Sequence, residues 1–393
     1  MRRAPVREAA SGDRQSRRPT GTAVGGRAGR SDGTSLVARA LALQRAAGNR
    51  ATSLVLQAQA EAPTAVVIIP GQAVPELLDA GAIERAKAFY RARPKRYTPL
   101  VMEQLHARFE LPPSDQPTTG MVEHVAVLQK QLGLKVDGKA GPRTLPQIFQ
   151  SGLQRGEQAR EYAGKADELA AEWDRAPLLR AHTIVSAANE RLVAAEVPAC
   201  SPGVVDLGTA VLGQFEHASW TIFIDDDLVA GPSVDPATGK SRIKPAMADV
   251  YHEARHAEQW FWMARMLAGR TPTPSVDQLA KRAEVPGPIA ERALGKPFPP
   301  GTTEAAIAEG WFDAELGSRR ADTKRARDRA QAAREAQFKA EQVARDDPTE
   351  ANQARAAAAK RRADALFAIY RDVPTESDAF RAERKVEEEL DLP

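Results

Sequence analysis

The sequence contains a single cysteine, Cys200, among 393 residues. One cysteine excludes both an intramolecular disulfide and a metal site built from several thiolates. Cys200 follows Pro198-Ala199 and no motif surrounds it, so we expect a structural or incidental role for it. Histidine is also scarce, with 6 residues, and a regular spacing of histidines is therefore informative.

Other absences narrow the possible functions. No apolar run reaches the roughly 18–20 residues of a membrane span, so no membrane-spanning segment is expected. No apolar segment follows the basic start of the chain, which predicts cytoplasmic synthesis without a signal peptide and export only by a specialised route. Lys and Arg number 55 against 52 Asp and Glu, and this near balance argues against a nucleic-acid partner.

Composition changes divide the chain into segments. Residues 1–34 are rich in Arg, Gly and Ser and are predicted to form a disordered basic tail. Apolar residues at helical spacing predict a short amphipathic helix within residues 35–57, and residues 58–74 resemble a linker. Helical patterns then fill residues 75–152 and a connector at 153–200.

The pattern changes within residues 201–393. Runs of β-branched and aromatic residues at 204–207 and 220–224 predict strands, and glycines punctuate them. Because helical patterns dominate elsewhere, the predicted fold is mainly α with a small β-sheet, an α+β class.

The most informative stretch is residues 251–260, which contains His252, Glu253 and His256. No Pro or Gly interrupts residues 247–268, and apolar residues recur there at helical spacing, so a helix is predicted. Residues four apart lie on one helix face, so both histidines can offer ring nitrogens to one ion. Glu253 lies about 100° further round, within reach of a water on that ion. This combination predicts a hydrolytic zinc site.

A catalytic zinc ion usually has a third protein ligand, which spacing alone leaves open. No histidine follows His256, so the ligand is a carboxylate further along the chain, or His217 or another residue before the motif. The best candidate lies in residues 370–380. There Pro374 predicts the start of a helix, and Glu376 falls in its first turn.

The segment Pro374-Thr-Glu-Ser-Asp-Ala, after a helix ending in Tyr370, resembles the third-ligand segment of the glutamate zincins (gluzincins), a group of His-Glu-x-x-His metallopeptidases. The resemblance implies that Glu376 is the third zinc ligand. It also implies that Asp378 supports the ligands, and Asp378 is the main rival as ligand. In zincins an edge strand beside the metal helix holds an extended substrate by backbone pairing. The predicted strand supplies the candidates for that role: Trp220, Thr221, Ile222, Phe223 and Ile224.

The chain between the motif and the third-ligand segment is long for a gluzincin. Two Ala/Arg/Glu-rich helical segments account for the length and predict a long hairpin within residues 303–370. The hairpin returns the chain to the zinc site at Tyr370. We include Tyr370 with Glu253 as a catalytic residue, while Tyr251 and His217 remain alternative donors to the negatively charged substrate oxygen.

Two further resemblances concern the amino-terminal part. Residues 128–145, with turn signals at Asp137-Gly138 and Gly141-Pro142, are similar to the end of the peptidoglycan-binding-like three-helix module. This implies a three-helix fold for residues 75–152, with peptidoglycan as a candidate partner. Residues 43–51, Leu-Gln-Arg-Ala-Ala-Gly-Asn-Arg-Ala, resemble a motif near the amino end of many bacterial proteins, several of them linked to extracellular contractile injection systems. This implies that residues 35–57 contact tube or sheath components as a loading or targeting tag.

Together these features predict a zinc metallopeptidase that acts on a protein or peptide, carried as a toxin or effector by a contractile injection system. Zn²⁺ would lower the pKa of its bound water, and Glu253 would take the proton. One alternative is a non-enzymatic assembly or cargo-adaptor protein of such a system. Glu253 argues against it, because zinc binding alone does not require that residue. The other alternative is a cell-wall endopeptidase whose helical module binds peptidoglycan.

Overall fold

The computed structural model describes residues 77–208, 212–235, 239 and 241–392. The predicted basic tail, the amphipathic segment 35–57 and the linker 58–74 lie outside the described residues. The predicted loading tag is therefore not part of the structure described below.

Four helices form the first part of the described structure. Their bounds are Ala80–Arg91 (α1), Pro99–Arg108 (α2), Thr119–Gln131 (α3) and Leu145–Phe149 (α4). The first three begin at polar caps, because the side chains of Asp79, Thr98 and Thr118 each accept a hydrogen bond from a first-turn backbone N–H.

The turn between α3 and α4 is held by a buried tyrosine. The Tyr90 hydroxyl donates to Gly138 O (2.9 Å) and accepts from Ala140 N (2.7 Å). Gly138 has a φ of 67°, and a Cβ at this position would clash with Val122. The Asp-Gly turn signal thus marks a position where the backbone requires glycine.

Three helices follow, with a 3₁₀ turn at Gly152–Gln154 before them. They are Gly156–Ala163 (α5), Ala166–Ala171 (α6) and Pro177–Ala194 (α7). Cys200 lies beyond α7, where Asn189 bonds both its N–H and its carbonyl. Burial raises the pKa of the Cys200 thiol, which disfavours a nucleophilic thiolate.

The sheet has three strands, Ser201–Val205 (β1), Gly213–Glu216 (β2) and Thr221–Asp225 (β3), followed by the short helix Asp226–Ala230 (α8). The strand order is β1-β3-β2, with β3 parallel to β1 and antiparallel to β2. The prediction of a mainly helical fold with a small sheet is confirmed.

The predicted edge strand is not at the edge. β3 is the central strand, so its backbone groups already pair with β1 and β2 and are not free for a substrate. Trp220 precedes β3 with a left-handed φ of 56°. Among the described strands, β2 is the edge strand nearest the predicted metal helix.

That helix, Ile243–Ala268 (α9), runs through the centre of the structure and has 26 residues. Most of its side chains are buried, because α7, β2 and later helices cover it on several sides. Three helices follow it: Val276–Ala283 (α10), Gly287–Gly295 (α11) and Thr303–Glu315 (α12).

The helical hairpin consists of Arg320–Asp346 (α13) and Glu350–Arg371 (α14). Arg334 of α13 lies 4.4 Å from the ring centroid of Phe367 on α14, as expected for antiparallel helices joined at residues 347–349. α12 is not part of the hairpin, because it packs on α9 through the fully buried Trp311 and belongs to the core.

The last helix, Pro374–Glu389 (α15), begins at Pro374 as predicted and packs along α9. One hydrophobic core connects the first four helices, α9 and α15 through residues such as Tyr90, Leu153, Tyr251 and Val386. These described residues belong to one unit of the chain. No described helix is both long enough and apolar enough to cross a bilayer.

Candidate metal centre

Three predicted ligands meet between α9 and α15. The Nε2 atoms of His252 and His256 lie 3.1 Å apart. Glu376 Oε2 lies 3.6 Å from the first nitrogen and 3.5 Å from the second. The two histidines lie one turn apart on α9, and Glu376 lies in the first turn of α15, so the packing of two helices brings the three residues together.

Hydrogen bonds on the far side of each imidazole ring determine which nitrogen faces the centre. His252 Nδ1 lies 2.8 Å from the Glu383 carboxylate, which as an acceptor calls for N–H at Nδ1. His256 Nδ1 lies 2.9 Å from Gln259 Oε1. Gln259 presents this oxygen because its Nε2 donates to Thr375 O and to the Asp378 carboxylate. When each ring is neutral, as a metal ligand must be, its Nε2 lone pair therefore points into the centre.

This arrangement suits a cation better than a direct contact. Glu376 Oε2 is buried and accepts no hydrogen bond, although burying an unpaired carboxylate oxygen is costly. Two donor atoms at about 2.1 Å from a tetrahedral ion are about 3.4 Å apart, close to the separations of the three atoms here. Two imidazole nitrogens and one carboxylate oxygen form a donor set that fits zinc.

The electrostatics of the three groups are mutually supporting. Burial opposes ionisation of Glu376, but His256 and His252 outweigh it and hold the pKa of Glu376 well below its usual value. Burial disfavours a charged His252, yet its contacts with Glu376 and Glu383 raise its pKa above the ordinary value. The centre therefore keeps a charged carboxylate in a buried position.

Glu253 lies next to the ligands and is held by the edge strand. Its Oε2 accepts a hydrogen bond from Phe215 N of β2 at 2.7 Å. β2 approaches α9 closely at Gly213, where a Cβ would collide with the Asp249 carboxylate. Small size at Gly213 thus lets the strand come near enough for its backbone to orient Glu253, which remains 9% exposed.

Asp378, the rival ligand, faces away from the centre. Its Oδ2 accepts from Arg255 Nε and Gln259 Nε2, both at 2.8 Å. Its Oδ1 accepts from Gln147 and Gln154, both at 3.1 Å. Four donors occupy the carboxylate, so Asp378 supports the centre through Gln259 and links α15 to the first part of the structure.

We expect Asp378→Ala to destabilise the protein. The Arg255 side chain is fully buried, with Glu258 as its other carboxylate partner at 2.5 Å. Removing one partner of a buried ion pair leaves charge uncompensated, and the expected loss is about 3 kcal/mol in the free energy of unfolding. Urea unfolding measures it. Asp277→Ala, which removes an exposed carboxylate from the first turn of α10, should cost far less, and equal losses in the two variants would contradict this role.

The base of the hairpin supplies Arg327 and Tyr370 to the same region. Arg327 Nη2 lies 3.6 Å from Glu376 Oε1 and 3.4 Å from Glu315 Oε2. Burial raises the pKa of Tyr370 well above its usual value, and the negative charge of Glu376 adds a smaller effect in the same direction. Tyr370 therefore stays protonated at neutral pH and can donate a hydrogen bond.

The two alternative donors are differently placed. The Tyr251 hydroxyl donates to Leu153 O (2.9 Å) and its ring is fully buried, so it is committed to the core. His217 stacks on Trp260 with ring centroids 3.8 Å apart, and its Nδ1 lies 2.7 Å from Glu284 O. His217 does not belong to the cluster of three ligands.

A second group of carboxylates, those of Asp206, Asp225 and Asp226, also lies close together. Asp225 has local partners, since its carboxylate accepts from Leu207 N and from Asp227 N at the start of α8. Through these bonds the Asp225 carboxylate stabilises a turn and caps the start of α8.

Three contributors to the centre were missed from the sequence. Glu383 lies seven residues after Glu376, a spacing that places both on one helix face and could have indicated it. Gln259 lies three residues after His256, which also places the two on one helix face. The sequence around Arg327 gives no indication of its place in the centre, because only the return of the hairpin brings it to Glu376.

Comparisons with protein-family models, with curated proteins and with solved structures found no match.

Proposed function

We propose that residues 201–393 form a zincin-like metallopeptidase domain in which His252, His256 and Glu376 hold zinc. The observation that carries the proposal is the convergence of two Nε2 atoms and an unpaired buried carboxylate oxygen beside Glu253. When bound, zinc would lower the pKa of a water towards neutrality and polarise the substrate carbonyl.

The chain's own residues supply the proton transfer and part of the charge stabilisation. Glu253 accepts a proton from the attacking water and passes it to the leaving amine, with the Phe215 N–H holding its carboxylate in place. Tyr370 donates a hydrogen bond to the substrate oxygen as negative charge develops. Arg327, with its guanidinium beside Glu376, adds positive charge on the same side.

β2 is the better candidate for the substrate-binding edge. Leu212 O accepts from Asp225 N of β3, whereas Phe215 N points to Glu253. Backbone groups of Phe215 and Gly213 therefore face away from β3, toward α9 and the ligands. An extended peptide pairing there would lie across the centre, as in zincins.

The hairpin supports the zincin-like interpretation by explaining the long separation of the ligands. α13 and α14 leave the body after α12 and return just before α15, so the hairpin can be an insertion that leaves the ligand geometry intact. The exposed helices of the hairpin also offer a surface for a partner. This observation favours the second candidate function, an assembly or adaptor protein with a structural metal. Transport by a contractile injection system and contact with peptidoglycan remain proposals from the sequence.

Metal removal and restoration test the peptidase proposal. The purified full chain should cleave a subset of a proteome-derived peptide library, with the new termini read by mass spectrometry. Phenanthroline should abolish cleavage, and one equivalent of zinc should restore it. His256→Ala serves as the blank for contaminating peptidases.

Three outcomes are informative. Cleavage that persists in His256→Ala, or no cleavage by the zinc-loaded wild type, would reject the proposal. Release of peptides from purified peptidoglycan without cleavage of the library would favour the cell-wall endopeptidase. Tight zinc binding with no hydrolysis of either substrate would favour the adaptor.

A further inference from the structure

Four arginines meet where the end of the hairpin faces the loop before α4. Arg143 lies in that loop, and Arg371 is the last residue of α14. Arg381 and Arg384 lie three residues apart on α15, on one face of the helix. All four side chains are half-buried. We call this group the arginine cluster.

Contacts with neighbouring groups fix the positions of three of the four members. Arg143 Nη2 pairs with Asp372 Oδ1 at 2.6 Å, and Asp372 directly follows Arg371. The Arg371 guanidinium lies 4.7 Å from the centroid of the Phe380 ring, next in sequence to Arg381. Arg381 in turn donates to Leu132 O at 3.0 Å, so the cluster joins α15 to the loop after α3.

The four arginines carry more positive charge than the neighbouring carboxylates neutralise. Among the described residues, Arg371, Arg381 and Arg384 form no ion pair within 4.0 Å, and Arg143 Nε is buried without a hydrogen-bond partner. Burial, and then the positive charges of Arg384 and Arg143, lower the pKa of Arg381 to about 10. Like charges in a half-buried position repel, and an anion among them would relieve that repulsion.

Neighbouring carboxylates offset the charge of the cluster only in part, although Glu383, Glu387 and Asp372 lie near Arg371. Glu383 is bonded to His252, and Asp378 is bonded to Arg255 on the other side of α15. Burial and the charge of Glu383 raise the pKa of Glu387 to about 7, so its negative charge is incomplete near neutral pH. Asp372 is the one carboxylate in ion-pair contact with a cluster member among the described residues.

We propose that the arginine cluster binds a phosphate group of a small ligand. A phosphate carries more than one negative charge and several acceptor oxygens, and guanidinium groups bind it with paired N–H donors. The site is separate from the proposed zinc centre, since the Phe380 ring lies between Arg371 and His252, 4.5 Å from the latter by ring centroids. The proposal does not depend on peptidase activity.

Isothermal titration calorimetry on the full chain tests it, with inorganic phosphate and glycerol phosphate as probes at constant ionic strength. Wild type should bind at least one of the two probes. Arg371→Gln and Arg384→Gln should each weaken binding by about tenfold or more, because each removes charge-assisted hydrogen bonds. Arg384→Lys should also weaken it, since the ammonium keeps the charge but loses the paired donors. Binding of inorganic phosphate alone identifies the free ion, whereas tighter binding of the ester identifies a phosphorylated small molecule.

Arg361→Gln is the matched control, because it removes an exposed arginine of α14 and changes the net charge equally. It should leave the affinity unchanged. An equal loss in this control would show a general effect of charge and overturn the proposal, as would wild type that binds neither probe at millimolar concentration. Melting temperatures of the variants serve as the folding check. Arg384→Gln should have the melting temperature of the wild type, because Arg384 has no ion pair to lose, and Arg371→Gln should melt slightly lower, because it loses the contact with the Phe380 ring. Unchanged affinity in both folded variants would also overturn the proposal.

Discussion

Glu376→Ala is expected to reduce zinc affinity by more than about 100-fold, since loss of a residue that only orients a ligand already costs about 10–100-fold. The variant removes the carboxylate oxygen that lies 3.6 Å from His252 Nε2 and 3.5 Å from His256 Nε2. Zinc content after dialysis against a weak chelator, read by inductively coupled plasma mass spectrometry, measures the loss. Wild type should retain close to one ion per chain.

A graded series makes this result specific. Glu383→Gln keeps the size of the side chain but weakens the bond that orients His252, so we expect about 10–100-fold weaker zinc binding. Glu304→Ala removes an exposed glutamate from the first turn of α12, the same kind of helix position as Glu376, and should bind zinc normally. Normal zinc content in folded Glu376→Ala would move the third ligand elsewhere.

Glu253→Gln is expected to lower kcat by about 10²–10⁴-fold while zinc remains bound. The amide cannot accept the proton of water, but its oxygen can still accept the Phe215 N–H, so the local structure should persist. Rates on a peptide found by the library screen measure the effect, together with zinc content of the same preparation.

The combination of the two readouts separates a catalytic from a structural Glu253. Loss of both zinc and activity would show that Glu253 holds the centre together, and full activity would exclude it as the base. Glu304→Gln makes the same chemical change on the surface and should leave both quantities at the wild-type level.

The parts of the site predicted from sequence are those governed by local geometry. The spacing of His252 and His256 determines their common helix face, and Pro374 determines where α15 begins. Glu376 was named as the third ligand through the resemblance of its segment to that of the gluzincins, and the fold brings it to the histidines. The helix face and the helix start depend on information within one or two helical turns.

The prediction of the edge strand was wrong for a different reason. Residues 221–225 have the strongest strand composition, and β-branched and aromatic residues favour a strand that is paired on both edges at least as much as one at the edge. The strand beside α9 is β2, whose sequence Gly-Gln-Phe-Glu gives a weak strand signal. Pairing order depends on contacts between distant segments, which strand composition does not encode.

The sequence by itself determined the helical character of the described residues, the common helix face of His252 and His256 and the start of α15, because helix periodicity and capping act over a few residues. Only the tertiary structure decided the partners of Asp378, since the packing of α15 on α9 brings Arg255 and Gln259 to its carboxylate. It also decided the positions of Arg327 and the arginine cluster. These depend on how the hairpin returns and on how α15 packs, which no local pattern contains.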